Sequence, residues 1–183
     1  MRKTDKGTCT EHYSLQTILL LFVIGGLFGF IYEELFYRID LGYWTKRGIT
    51  FGPWIPIYGF GAVIIILLIK RIKDKPWLVF LSAVVVSGVI EFVAGYILFQ
   101  AFHIRLWDYN AEIWNWMNID GYVCFRSVAF FGVSAIFFQY LVLPLLIKFT
   151  EKCPRKYMNL ITGVLASLFI GDIVLSLICK AFT

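Results

Sequence analysis

Charge is scarce in this chain. Of its 183 residues, 16% are Asp, Glu, Lys or Arg, against about 25% in soluble domains. That shortage excludes a disordered segment and an ordinary cytosolic enzyme. Cysteine is limited to four scattered positions, too few and too irregular for a secreted disulfide scaffold or a His/Cys metal site. No stretch fits G-x-x-x-x-G-K-[ST], so an ATP-hydrolysing module is excluded. No serine triad order or cofactor motif appears, so no metal and no cofactor are expected. What is abundant is apolar: 60% of the residues, with 19% aromatic and a mean hydropathy of +0.77. This composition points to an integral membrane protein.

A spanning helix needs about 20 mostly apolar residues. Five stretches qualify, over about 15–37, 54–69, 77–102, 121–147 and 157–181. No alternation persists long enough for a barrel. The expectation is an all-α polytopic membrane helix bundle, one integral membrane domain over 1–183. The first stretch is too long for a cleavable leader, carries two carboxylates near its end and lacks a small-residue cleavage site. With five spans, eleven basic residues fall on one side, in the N-terminal tail, the 70–75 loop and the 148–156 loop. Five fall on the other: Arg38, Lys46, Arg47, Arg105 and Lys180. The bias places the N-terminus in the cytoplasm and the C-terminus outside. It absorbs the net charge of +5 and leaves no basic stripe for nucleic acid. Cys124 and Cys179 fall toward one side, where a bridge is conceivable. Buried thiols are the expectation.

Two loops look like more than connectors. The first reads Arg38 to Pro53 and runs into Gly52-Pro53-Trp54-Ile55-Pro56-Ile57-Tyr58-Gly59-Phe60-Gly61. Gly48, Gly52, Pro53, Pro56, Gly59 and Gly61 would shape the backbone where the chain meets lipid. Two readings are open: a partly re-entrant segment around 48–58, or a helix begun at a proline. The second loop, His103 to Asp120, holds Trp107-Asp108-Tyr109 and Trp114-Asn115-Trp116. Tryptophans suit the headgroup belt; Asp108 between two aromatics needs another reason.

Ionisable residues within membrane helices are costly, and functional by default. Glu33, Glu91, Arg126 and Asp172 all fall in the outer half of their spans, level with Arg47, Tyr58 and Asp108 from the outer loops. Small residues share the faces of the acids: Phe22, Gly26, Gly29, Glu33 and Tyr37 in the first helix, Gly88, Glu91 and Gly95 in the third, Leu168, Asp172 and Ser176 in the fifth. Glu33 then faces inward, while Glu34 points elsewhere and snorkels to water. Two readings follow: buried ion pairs that hold the bundle, or a polar site opening outward.

Several segments carry a family resemblance. Lys46-Arg47-Gly48 leads to Gly52-Pro53, then Pro56-Ile57-Tyr58-Gly59-Phe60-Gly61. Gly29-Phe30-Ile31-Tyr32-Glu33, Glu91-Phe92, Leu106-Trp107-Asp108-Tyr109 and Asn118-Ile119-Asp120-Gly121-Tyr122-Val123-Cys124-Phe125 follow in matching order. Together they resemble the bacterial multi-pass family catalogued as "Putative ABC-transporter type IV", from about residue 20 to 176. The resemblance implies a bacterial membrane protein of about five helices and a permease-like role. Arg126 is outside that family pattern. Glu33-Glu34-Leu35-Phe36-Tyr37-Arg38 and Phe99-Gln100-Ala101-Phe102-His103 also fit short patterns of CaaX-type membrane endopeptidases. Those enzymes need a further histidine motif, and the other histidine here is His12 in the tail.

Three functions compete. The first is a transporter of a cation, proton or small solute, in the inner (plasma) membrane. Its candidate residues are Glu33, Arg47, Tyr58, Glu91, Trp107, Asp108, Tyr109, Asn118, Arg126 and Asp172. The second is an enzyme acting on membrane lipid or lipid-linked substrate at the outer leaflet. There Glu33, Glu91 or Asp108 would be general base, and Arg47 and Arg126 would hold a phosphate or carboxylate. The third is a scaffold working with a partner subunit or a second copy. The transporter reading is preferred.

Overall fold

The computed structural model describes residues 13–181, all helices and loops apart from one isolated bridge between Ile119 and Val123. Arg2, Lys3, Lys6, Cys9 and His12 lie outside the described residues. The elements are α1 (Leu15–Leu41), α2 (Pro56–Ile69), α3 (Pro76–Phe102), α4 (Phe125–Phe137), α5 (Leu143–Lys152) and α6 (Arg155–Ala181). A π-helical turn, Phe138–Val142, joins α4 to α5. Among the described residues there are four helices long and apolar enough to cross a membrane, the α4–α5 helix counted as one, plus the shorter apolar α2.

Local signals set the ends. Ser14 caps α1, its hydroxyl accepting the Thr17 N–H at 3.1 Å, and Gly42 closes it at φ +81°. Proline opens both α2 and α3, where a missing N–H is harmless. The fourth expected stretch differs at its start. Residues 120–122 form a turn, Val123 bridges to Ile119, and the helix begins at Phe125 after its cap Cys124. Gly121 there has φ +79°, and the Tyr122 N–H bonds back to the Ile119 carbonyl. Pro144 explains the π turn. A proline in a helix interior clashes with the carbonyl four residues back. Here the Leu143 N–H reaches Phe138, five residues back, widening the helix just before the proline.

The segment before α2 is re-entrant. The Ile55 N–H donates to the Gly26 carbonyl at 3.0 Å. Gly26 lies fifteen residues before the end of α1, a depth of roughly 22 Å at 1.5 Å per residue. The non-helical chain from 42 to 55 thus descends to the middle of the bundle. From there α2 returns antiparallel to α1, 14 residues long, or about 21 Å. Close contact needs small residues: an ideal Cβ on Gly25 would stand 2.8 Å from that of Ala62, and one on Gly29 would overlap the Tyr58 ring. Pro56 makes the first turn of α2, and Gly59 would meet the Phe22 carbonyl at 2.6 Å. Gly61 would meet nothing nearer than Phe131 at 4.0 Å, so close packing does not require it to be glycine.

The apolar core fills the half of the bundle around the start of α1. Leu20 and Leu21 meet Ile65, Ile66 and Ile69 of α2, Val79 and Ala83 of α3, Leu143 and Leu146 of α5 and Met158 of α6. Gln16 bonds Asn159 at that end, while Phe51, in the loop that descends from the other end of α1 toward its middle, bonds Asp172. So α6 runs parallel to α1, and residues 13 and 181 lie at opposite ends of the bundle. The inward face of α6 is Met158, Thr162, Leu165, Phe169, Asp172 and Ser176. Leu168, expected on that face, is 56% exposed; Phe169 takes its place, edge-on to Phe22 and Trp54. Cys124 is a buried thiol as expected, whereas Cys179 is exposed, and the two are not bridged.

Candidate functional site

The other half of the bundle encloses a cavity of about 520 Å³, within the range of small-molecule sites. Helices α1 to α4 and both long loops border it. Glu33, Arg47, Tyr58, Glu91, Trp107, Tyr109 and Arg126, all singled out from the sequence, line it.

Two ion pairs stand in its wall. Arg47 Nε lies 3.2 Å from Glu33, and its guanidinium stacks 3.6 Å over the Tyr37 ring. Gly48 permits this placement: φ is +81°, a region open to glycine at no steric cost. Arg126 pairs with Glu112, donates to the Tyr32 hydroxyl at 2.9 Å and lies over Phe36 at 3.8 Å. The side chains of this second pair are only 12% and 7% exposed, so removing one partner would strand a buried charge. Tyr37 also donates to Glu112. Burial pushes the Glu112 carboxyl above its ordinary value of 4.5, opposed by the Tyr37 hydroxyl and the Arg126 charge.

Glu91 differs. Its Oε1 accepts from Tyr109 at 2.7 Å and from Ser127 at 2.5 Å. Its Oε2 is buried without a hydrogen-bond partner, as is Arg126 Nε. Among the described residues no Lys or Arg pairs with Glu91. The Tyr109 and Ser127 hydroxyl oxygens also stand 2.8 Å apart, both turned toward the carboxylate. Burial and the Glu91 charge hold the Tyr109 phenol well above its ordinary value, so it stays a donor. Burial likewise pushes the Cys124 thiol up, which keeps it unreactive.

Three sequence candidates do not line the cavity. Asp108 pairs with Arg105 at 3.2 Å and accepts from the N–H and side chain of Asn110. Asn118 donates to Asn110 at 2.6 Å and accepts the Gly121 N–H at 2.9 Å. Both organise the second loop, which Trp107 ties to the Tyr122 carbonyl. Asp172 accepts from the Phe51 and Gly52 N–H groups, both at 2.9 Å, and from Trp54 Nε1 at 2.7 Å. Gly52 leaves room for this approach, since its Cβ would sit 2.7 Å from the Trp54 ring. Pro53 lies in the same turn.

Glu34 corrects its expected role. It is half-buried and accepts the Arg47 N–H at 3.0 Å, pinning the loop rather than reaching for water. Sequence reasoning missed Glu112 and Ser127; it placed Tyr37 on the face of Glu33 and Tyr32 in the first-helix motif without assigning either to the site. The signal for Glu112 was indirect: Arg126 is unpaired within its own helix and needs an acid from elsewhere. Among the described residues no group of three or more His, Cys, Asp or Glu is arranged to hold a metal ion.

No curated protein and no solved structure matches the chain. A family model does, over residues 20–177, which takes in all five apolar helices but for a few terminal residues, both long loops and every residue of the cavity wall. On that match the chain belongs to the multi-pass membrane family described as "Putative ABC-transporter type IV".

Proposed function

We propose that this chain works as a permease-like protein of the bacterial inner membrane, its cavity open to the outer side and taking a cation, a proton or a small solute. The N-terminus is then cytoplasmic and the C-terminus outside, as the basic loops favour. The observation that carries the reading is Glu91: a carboxylate within a membrane helix, bordering a cavity, with one buried oxygen unpartnered. A charge in that setting is costly unless something pairs with it. The non-helical chain before α2 adds support, since interrupted backbone at membrane depth commonly lines transport sites.

Arg47 and Arg126 are each matched by a carboxylate. Each arginine charge is thereby balanced within the wall, leaving no surplus cation for a phosphate, which places lipid-phosphate chemistry behind transport. The test is flux in proteoliposomes, read with a pH-sensitive dye and with labelled cations. Glu91→Gln is expected to abolish flux while the protein stays monodisperse. Unchanged flux in that variant would overturn the reading.

A further inference from the structure

We infer that the cavity takes an amphiphile headed by a protonated amine, its ammonium at the Glu91 carboxylate and its apolar body along the aliphatic and aromatic wall. The inference rests on the permease reading and names its ligand class.

Charge sets the sign of the head. Glu33 and Glu112 each hold a guanidinium, whereas Glu91 receives hydroxyl donors on one oxygen and nothing on the other. A cation at this carboxylate supplies the charge partner that the other two acids already have. An anion there would face a carboxylate, and the charges of both neighbouring arginines are already balanced by Glu33 and Glu112. Hydrogen bonding sets the kind of cation. A buried, unpartnered acceptor oxygen calls for an N–H donor, which a primary ammonium supplies and a quaternary one lacks. The rings of Tyr58, Tyr109 and Phe131 border the same space, and aromatic faces favour an ammonium.

Size and lining set the rest. A bare alkali ion fills a small fraction of about 520 Å³. Beyond Glu91 the wall continues through Ile57, Phe60 and Ile90, surface that water covers poorly and a hydrocarbon chain covers well. Such a ligand exists as a free amphiphilic amine or as the head of an aminophospholipid.

The experiment uses the full chain in phosphatidylcholine nanodiscs, with binding read by tryptophan fluorescence and calorimetry against empty discs. Four probes are compared: octylammonium, ethylammonium, octanoate and potassium. Octylammonium is expected to bind about tenfold or more tighter than the other three, a gap of about 1.4 kcal/mol. Glu91→Gln should lower its affinity by a similar factor. The wild-type ranking needs no variant, so misfolding of Glu91→Gln cannot mask the answer. Equal binding of octanoate, or full affinity in Glu91→Gln, overturns the assignment. If octylammonium fails while Glu91-dependent proton or potassium flux persists, the ligand class falls and the permease reading stands. Loss of both binding and flux sinks both. Competition by phosphatidylethanolamine discs would identify a lipid headgroup, and its absence a free amine; either keeps the amine.

Discussion

At the residue scale, single atoms decide what the bundle tolerates. Gly29 has no room for a methyl group, because Tyr58 fills the space where its Cβ would be. Tyr58 in turn borders the cavity, so this contact couples helix packing to the site. Gly29→Ala should destabilise the protein by about 1–3 kcal/mol through overpacking. Thermal unfolding in detergent reads it, with Gly61→Ala as the control, since a methyl group there meets only Phe131. Equal melting temperatures for the two variants would contradict the close approach. Glu91 and Glu112 show the same sensitivity in polar form. Both are buried acids, yet one is paired with Arg126 and the other keeps an open oxygen.

At the element scale, the re-entrant segment is held at three places. Ile55 bonds mid-α1, the Arg47 backbone bonds Glu34, and residues 51–54 bond Asp172. A long stretch of non-helical chain at membrane depth survives only if its polar groups are met by protein or water, and these contacts meet several of them. Asp172→Ala would remove the acceptor of the Gly52 N–H and of the Trp54 indole, and one of the two acceptors of the Phe51 N–H, the other being the Ser176 hydroxyl at 3.2 Å. Hydrogen exchange at the Phe51 and Gly52 amides should then quicken by about tenfold, the equivalent of about 1.4 kcal/mol of lost protection. Exchange in α3 should stay unchanged. Unaltered protection at 51–52 would show that Asp172 does not anchor the loop. The α6 helix thus serves as an anchor for the loop, while Arg47 and Gly48 at its near side form part of the cavity wall.

At the scale of the whole molecule, polar and apolar interiors are separated along the bundle axis. The Leu, Ile and Val core surrounds the start of α1, and the charged cavity lies toward its end. Large apolar side chains cover the outside of α3 and α6, among them Val85, Leu160 and Ile170, as lipid contact requires. The basic loops predict which end faces the cytoplasm. With native cysteines replaced, Lys180→Cys should react with a membrane-impermeant maleimide in intact cells, and Lys73→Cys should react only after lysis. The reverse pattern would invert the topology.

Much of the fold was legible because lipid imposes simple rules. A run of about 20 apolar residues must be a helix, so four spans could be read directly, and the Gly/Pro cluster before Pro56 marked the break in a fifth. Periodicity placed Glu33 and Glu91 on packed faces for the same reason. It failed at Leu168, one position from the true stripe, because α6 packs along alternating steps of three and four. The span through Pro144 was read correctly as one helix, but periodicity carried no sign of the π turn at Phe138–Val142, where the proline is met by widening the helix.

The sequence by itself determined the solvent this protein lives in, the number of its apolar helices and the short list of charges inside them. Only the tertiary structure decided how those charges divide. Arg126 found Glu112 across a loop, Asp108, Asn118 and Asp172 went to loop architecture, and Glu91 was left with an open oxygen. Pairing depends on which side chains meet across helices and loops far apart in sequence, and spacing along one chain carries no record of that.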